Sequence, residues 1–492
     1  MNESMILMLP IFLPIIAGIL LLCIPEMKKR SALIGIVAAV LIVTAVSVFA
    51  VLFQEADSCT LFYLTKSLPV YFKLDGIGRV FVTVVTIVWL CGGAFAFEYM
   101  KHEQSEKRYF GFYLIVYGVL IALDFSGNII TFYMFYELMT LLSMPLVLHT
   151  RSKEAIMAGL KYMFYSFFGA YMVLFGIYFL NRFANTLTFT SGGVLNQELI
   201  AGREPFLLFV VFLMILGFGV KAGMFPLHGW LPTAHPVAPA PASAVLSGII
   251  VKGGVLGIIR TVYYLFGAEF IRGSWVQTVW LSLTLFTVFM GSMLAYREKV
   301  LKKRLAYSTV SQVSYILFGL AMLDSTAMTG SLLHVICHAF IKSTLFFCAG
   351  AIIYKTGKTR VDELNGIGKE MPVLLWCYTI VSLALIGIPP TGGFLSKWYL
   401  AVGALHTKMP FFSWFGPVVL LVSALLTAGY LLPITINGFF PGKEFDYQQL
   451  KSKEPNRTML LPILLLTVLA MAVGMFPAVI TEYLTGFLSG LM

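Results

Sequence analysis

Residues 205–241 read PFLLFVVFLMILGFGVKAGMFPLHGWLPTAHPVAPAP. From Pro205 to Val220 no side chain carries a charge, and then Lys221 interrupts the run. An apolar stretch of this kind suits a bilayer, which a helix crosses in about 20 residues. It predicts a membrane helix over about residues 205–224. Beyond the lysine come Pro226, Gly229, Pro232, Pro236, Pro239 and Pro241. Proline lacks the backbone donor and breaks the helical ladder. In lipid, unwound backbone is tolerated only where it lines a cavity or is buried in protein. The stretch therefore predicts a broken membrane helix with a lysine beside the break.

The rest of the chain has the same character. Of 492 residues, 59% are hydrophobic and only 12% charged, with mean hydropathy +0.89. A soluble domain carries about a quarter charged residues, so lipid is the solvent here. Apolar runs of helical rather than strand length exclude a barrel. Helices are expected at about 5–25, 31–54, 77–97, 109–125, 128–148, 155–181, 205–224, 243–267, 275–296, 305–323, 330–354, 372–405, 411–438 and 459–485. The fold class is thus an all-α membrane protein with about fourteen transmembrane helices. The run Met5 to Ile24 lacks a basic leading segment and is followed by its basic cluster, so it reads as a retained helix rather than a signal peptide. Six cysteines lie scattered without paired spacing, which points to neither metal nor disulfide.

The net charge of +11 could suggest nucleic acid. Its distribution suggests membrane topology instead. With the N-terminus outside, the inside loops collect 21 Lys and Arg, among them Lys28, Lys29, Arg30, Arg297, Lys299, Lys443 and Lys451. The outside loops collect 7, and inside loops of membrane proteins are the basic ones. Both termini are expected outside a prokaryotic cell membrane. No loop is long enough for a nucleotide-binding fold and no GxxxxGK[ST] occurs, so this chain alone is not an ATP-driven pump.

Six basic residues remain inside helices: Lys161, Lys221, Lys252, Arg260, Lys342 and Lys397. Ionisable groups at depth are costly and mark functional sites by default. Lys161 and Arg260 could instead reach an interface by extending along their stems. Glu137, in TFYMFYELMTLLSMP, is the one carboxylate that the sequence places well inside a helix, and Lys221 is its natural partner. A pair that merely pins two helices is the bland alternative, although desolvation offsets much of such a gain. Burial favours the neutral amine and a nearby carboxylate favours the ammonium. Changing the Glu137–Lys221 distance would therefore load or release a proton.

In HVICHAFIKSTLFF, His334, His338 and Lys342 recur every four residues. That spacing puts them on one helical stripe, about 6 Å apart, a pattern suited to stepwise proton transfer. Satisfied core polar residues or a haem ligand are alternatives; haem needs a facing histidine, and the other histidines read as lying near loops. A second break is expected in IGIPPTGGFLSKWYL, where Pro389, Pro390, Gly392 and Gly393 precede Lys397. Matching broken segments in two halves point to an inverted-repeat transporter. The expected division is 1–108 for three N-terminal helices, 109–270 and 271–440 for two five-helix repeats, and 441–492 for a loop and last helix. Helices seven and twelve are then the broken ones.

The runs YELMTLLSMPLVLH, VKAGMFPLHGWLPTAHPVAPAPASAVLSG, HVICHAFIKSTLFF and IPPTGGFLSKW resemble the antiporter-like subunits of respiratory complex I, Mrp cation/proton antiporters and membrane-bound hydrogenases. The resemblance spans nearly the whole chain. It implies fourteen helices, two inverted repeats and a hydrated polar axis at mid-membrane. It implies that Glu137 is the first-half glutamate, Lys221 its partner, Lys252 the connecting lysine, His334, His338 and Lys342 the second-half relay, and Lys397 the terminal group. Lysine at the last position, and an end soon after helix fourteen, favour a D-type Mrp or hydrogenase-associated subunit over the distal complex I and A-type Mrp subunits. It implies other membrane subunits as partners, protons with sodium as a second candidate cargo, and no cofactor in this chain. The rival expectations are a stand-alone cation/proton transporter and a quinone- or haem-binding redox subunit.

Overall fold

Two helices set the architecture because they touch no solvent or lipid along most of their length. Every residue of Ala240–Phe266 is buried, and so is every residue from Ala327 to Ile352 of Ser325–Thr356. In a computed structural model that describes residues 6–442 and 452–491, apart from 26, 28, 55–57, 67 and 489, the other helices wrap these two. We number the long helices in chain order. The first group is α1 Met8–Cys23, α2 Arg30–Leu52, α3 Gly76–Tyr99, α4 Glu106–Asp124, α5 Ile129–Val147 and α6 Lys153–Phe183. Next come α7 Glu204–Ala222, α8 Leu231–Val237, α9 Ala240–Phe266, α10 Trp275–Arg297, α11 Leu301–Ala321 and α12 Ser325–Thr356. The chain closes with α13 Pro372–Ile386, α14 Gly392–His406, α15 Pro410–Phe439, α16 Arg457–Met475 and α17 Pro477–Leu488.

Ten helices among the described residues are long and apolar enough to cross a membrane. The outer ones leave large apolar side chains uncovered: α6 alone exposes Phe164, Phe168, Tyr171, Leu174 and Tyr178. Such a face is incompatible with water and suited to acyl chains. Polar side chains mark where the helices begin. Asp75 accepts from Gly78 N at 2.9 Å, Asn128 from Thr131 N at 2.8 Å and Asp324 from Ala327 N at 3.0 Å, each satisfying an orphan donor of a first turn.

The break expected within 372–405 is present: the stretch forms two helices, α13 and α14, divided by a turn that carries Pro389 and Pro390. Two expectations need correction. The single helix over 459–485 is also two, parted at Pro477, whose nitrogen has no hydrogen to continue the ladder. The fold is also not wholly helical: Cys59–Thr65 and Leu68–Phe72 form an antiparallel hairpin between α2 and α3. It is docked rather than free, since Asn128 Nδ2 donates to Pro69 O at 2.7 Å and Lys73 N to Phe125 O at 2.7 Å. Lys28, Lys443 and Lys451, counted in the charge asymmetry, and most of the loop after α15 lie outside the described residues.

Candidate proton-transfer site

The first break follows from its residues. α7 ends at Ala222, and Gly223 turns the chain at φ +76°, a conformation that L side chains avoid. Pro226 lies exposed in the turn, and Pro232 stands in the first turn of α8, where no backbone donor is missed. The freed carbonyls find side-chain donors: Trp230 Nε1 donates to Val220 O at 2.8 Å and Lys302 Nζ to Ala238 O at 2.6 Å. The second break repeats the device. Gly387 ends α13 at φ +96°, and Lys397 reaches back to donate to Leu385 O at 2.7 Å and Ile386 O at 2.9 Å. Pro389 and Pro390 are exposed, while Gly392 and Gly393 are buried at the start of α14. A Cβ on Gly393 would stand 1.8 Å from Ala384 O, so only glycine lets α14 start there.

Lys221, 1% exposed in the last turn of α7, is held in a cage of hydroxyls. It donates to Thr140 Oγ1 at 2.7 Å, Tyr162 OH at 2.8 Å and Ser166 Oγ at 3.3 Å, and lies 4.4 Å from the Tyr162 ring centre. The expected Glu137–Lys221 contact is not closed. Each feels the other's charge, yet Glu137 Oε1 is buried without a hydrogen-bond partner. The physical reason is competition: three hydroxyls reached from α5 and α6 solvate the ammonium in place of the carboxylate.

The other candidates converge on the core. Lys252 follows a π-helical turn, Leu246–Ile250, a distortion that often marks functional sites. It donates to Ser247 O at 3.3 Å, to Gly248 O, and meets His338 Nδ1 at 3.0 Å. His338 and His334 stack with ring centres 6.0 Å apart, which is the spacing expected of the stripe. His334 Nδ1 meets Ser396 Oγ at 2.8 Å on α14, and its Nε2 meets Gln312 Oε1 at 3.2 Å on α11. Lys342 completes the stripe but turns to the α11 backbone, donating to Leu305 O at 3.0 Å. Lys397 stands 4.9 Å from the Tyr315 ring, which stacks on His334. Lys252, His338, His334 and Lys397 thus form one cluster from three helices. Glu137 and Lys221 form another, and no direct bond joins the two among the described residues.

All of these groups fall within one family match. Residues 126–438 fit the sequence family described as NADH:quinone oxidoreductase/Mrp antiporter, TM, and residues 64–110 fit complex I chain 5 N-terminus. The chain belongs to the antiporter-like subunit family of complex I and Mrp antiporters. One relative, the N-type NADH-quinone oxidoreductase subunit of Desulforudis audaxviator, is 30% identical over 82% of this chain and 81% of its own length. The D-type Na(+)/H(+) antiporter subunit of Alkalihalophilus pseudofirmus is 27% identical over 98% and 96%. Hydrogenase-4 component B of Escherichia coli is 29% identical, and this chain spans 62% of its length. In fold, this antiporter-like chain superposes on a subunit of an archaeal membrane-bound sulfane sulfur reductase with TM-score 0.85, at 21% identity over 99% of this chain and 98% of that one. It superposes on a chain of the Mrp complex of Dietzia sp. with TM-score 0.84, at 21% identity over 99% and 97%.

Of the two places the sequence left for Arg260, the buried one is taken: it is 1% exposed and doubly bonded to Asp75, with Nη2 2.8 Å from Oδ1. Other buried polar residues of this antiporter-like chain went unmarked. Asp124 is a second buried carboxylate, 2% exposed at the end of α4, which the sequence placed within the helix expected over 109–125 without singling it out. His235, expected near a loop, is fully buried on α8 against Phe346, and neither ring nitrogen has a partner. Its one signal was the proline-rich break on which it sits. The hydroxyls of Thr140, Tyr162 and Ser166 carried no signal, because serine, threonine and tyrosine are common in membrane helices.

Proposed function

We propose that this antiporter-like chain moves protons across a prokaryotic cell membrane as one subunit of a larger complex. The route runs from Glu137 through Lys221 and Lys252 to His338, His334 and Lys397, with Lys342 beside it. The observation that carries this reading is the 3.0 Å approach of Lys252 Nζ to His338 Nδ1. There two titratable side chains of different helices touch among buried neighbours, which supports a proton handed directly between them. A structural lysine needs only carbonyls; this one also holds a titratable ring. The caged Lys221 beside an unbonded Glu137 is then the open state of a pair whose closure favours the charged lysine.

The same reading sets fourteen transmembrane helices with both termini outside, and repeats over 109–270 and 271–440 between the N-terminal segment 1–108 and the segment 441–492. Its support is the twin device at the two breaks: a glycine at positive φ, a proline turn and a lysine bound at the site. The near full-length match to the Mrp-type subunit of A. pseudofirmus favours an Mrp-type assembly. The matches to subunits of redox complexes keep a redox-driven pump as the second reading. Tagging the subunit, purifying the native assembly and identifying its partners separates them: iron–sulfur partners mean a redox pump, and only small hydrophobic partners with a larger antiporter-like chain mean Mrp. A lone chain that still transports would sink the subunit reading in favour of a self-sufficient transporter.

A further inference from the structure

Asp124 is the buried carboxylate that the route above does not use. The other aspartates at helix junctions have evident structural work, since Asp75 and Asp324 cap helices. Asp124 caps nothing, and its Oδ2 is buried without a hydrogen-bond partner. An unsatisfied buried carboxylate costs a fold several kcal/mol, so it is a poor choice for structure alone. What Asp124 does is line a cavity with Lys252. That cavity, walled otherwise by apolar side chains such as Phe81, Val85 and Leu123, measures about 10 Å³ in room for water centres. One water molecule needs about that much, with polar partners on its sides. Carboxylate and amine supply them.

Asp124 also lies within the field of the Arg260 guanidinium, which is bound to Asp75. Asp75 in turn is 28% exposed and lines a vestibule of about 280 Å³ together with Ser126, Thr188 and Tyr264. The vestibule sits among the hairpin and the loops after α4 and α6, at the α3 N-terminus, which is the face opposite the basic loops.

We propose that Asp124 is a further proton-carrying residue, the inner end of a branch joining Lys252 on the central axis to the aqueous vestibule beside Asp75. It rests on the proton-transfer reading of the site. In one direction the Asp124 acid gives its proton through a single water to the neutral Lys252 amine, leaving a carboxylate and an ammonium. Arg260, permanently charged, stabilises that carboxylate without itself giving up a proton. Return of a proton from the vestibule water resets the acid. The central axis thereby acquires an opening to the outer face within the first half of the chain.

The test uses membrane vesicles holding the complete complex, with proton translocation read by a pH-sensitive dye and assembly by co-purification. Asp124→Asn is expected to assemble and to slow translocation about a hundredfold, the lower range for loss of a proton-transfer group. Asp124→Glu, which restores a carboxyl, is expected to recover most of the rate. Val85→Leu fills the cavity while leaving both titratable groups in place and is expected to slow translocation as Asp124→Asn does; it decides the matter should Asp124→Asn not assemble. Assembled Asp124→Asn or Val85→Leu working at the wild-type rate, while Glu137→Gln is inactive, overturns the branch and leaves the axis standing. If Glu137→Gln also works at the wild-type rate, the axis itself fails.

Discussion

Removing one hydroxyl from the cage around Lys221 tests whether that cage holds the Glu137–Lys221 pair open. Tyr162→Phe keeps the ring that faces the ammonium and deletes the 2.8 Å hydrogen bond from Lys221 to its hydroxyl. It also removes the 2.8 Å contact of that hydroxyl with Ser143 Oγ, which already donates to the Thr140 carbonyl at 3.2 Å, so no buried donor is stranded. A hydrogen bond to a charged group contributes about 1.5–3 kcal/mol. Losing it shifts the balance between caged and paired lysine by roughly tenfold to a hundredfold toward Glu137. A pair that stays closed passes protons slowly, so proton translocation in vesicles should fall by about that factor at unchanged expression and assembly. Glu137→Gln alone is expected to stop translocation, so adding Tyr162→Phe to it should bring no further loss. A Tyr162→Phe subunit that assembles and transports at the wild-type rate would refute the competition argument.

Three further outcomes are expected. Gly393→Ala would force its Cβ against Ala384 O, 1.8 Å away, displacing the start of α14 and parting Lys397 from the α13 carbonyls; a loss of about 1–3 kcal/mol in thermal stability should accompany impaired transport, both measurable on the purified complex. Asp75→Asn leaves Arg260, 1% exposed, without its counter-charge; breaking a buried pair costs about 3–5 kcal/mol, and partial exposure of Asp75 should bring the fall toward the lower figure, read as a lowered melting midpoint. His149, in the turn after α5, has its pKa pushed down to about 4 by burial and the Arg108 charge, against a hydrogen bond with Gln104 O. Its folded value lies below the unfolded one of about 6.5, so its contribution is complete above that pH and is lost as pH falls toward 4. The melting midpoint of the wild type should therefore drop more steeply over that acid range than that of His149→Asn.

Some of this molecule was written in its order of residues. Membrane residence followed from composition, because a chain so apolar has no other solvent. Both breaks were legible in Pro226, Pro232, Pro389, Pro390 and the paired glycines, since proline's missing donor acts through local backbone geometry. The stripe of His334, His338 and Lys342 was legible because helical periodicity is local, and the 6.0 Å stacking of the two rings follows from it. What one residue does to another across helices was not local. Glu137 and Lys221 look like partners in sequence, yet the hydroxyls of Thr140, Tyr162 and Ser166 take the lysine first. Asp124 was one residue near the end of the expected helix over 109–125, and Arg260 was left between a buried and an interface place, until packing buried both. Sequence determined which groups were placed in the membrane; only the tertiary fold decided which of them touch, because burial and hydrogen bonding depend on neighbours that the chain brings from far away.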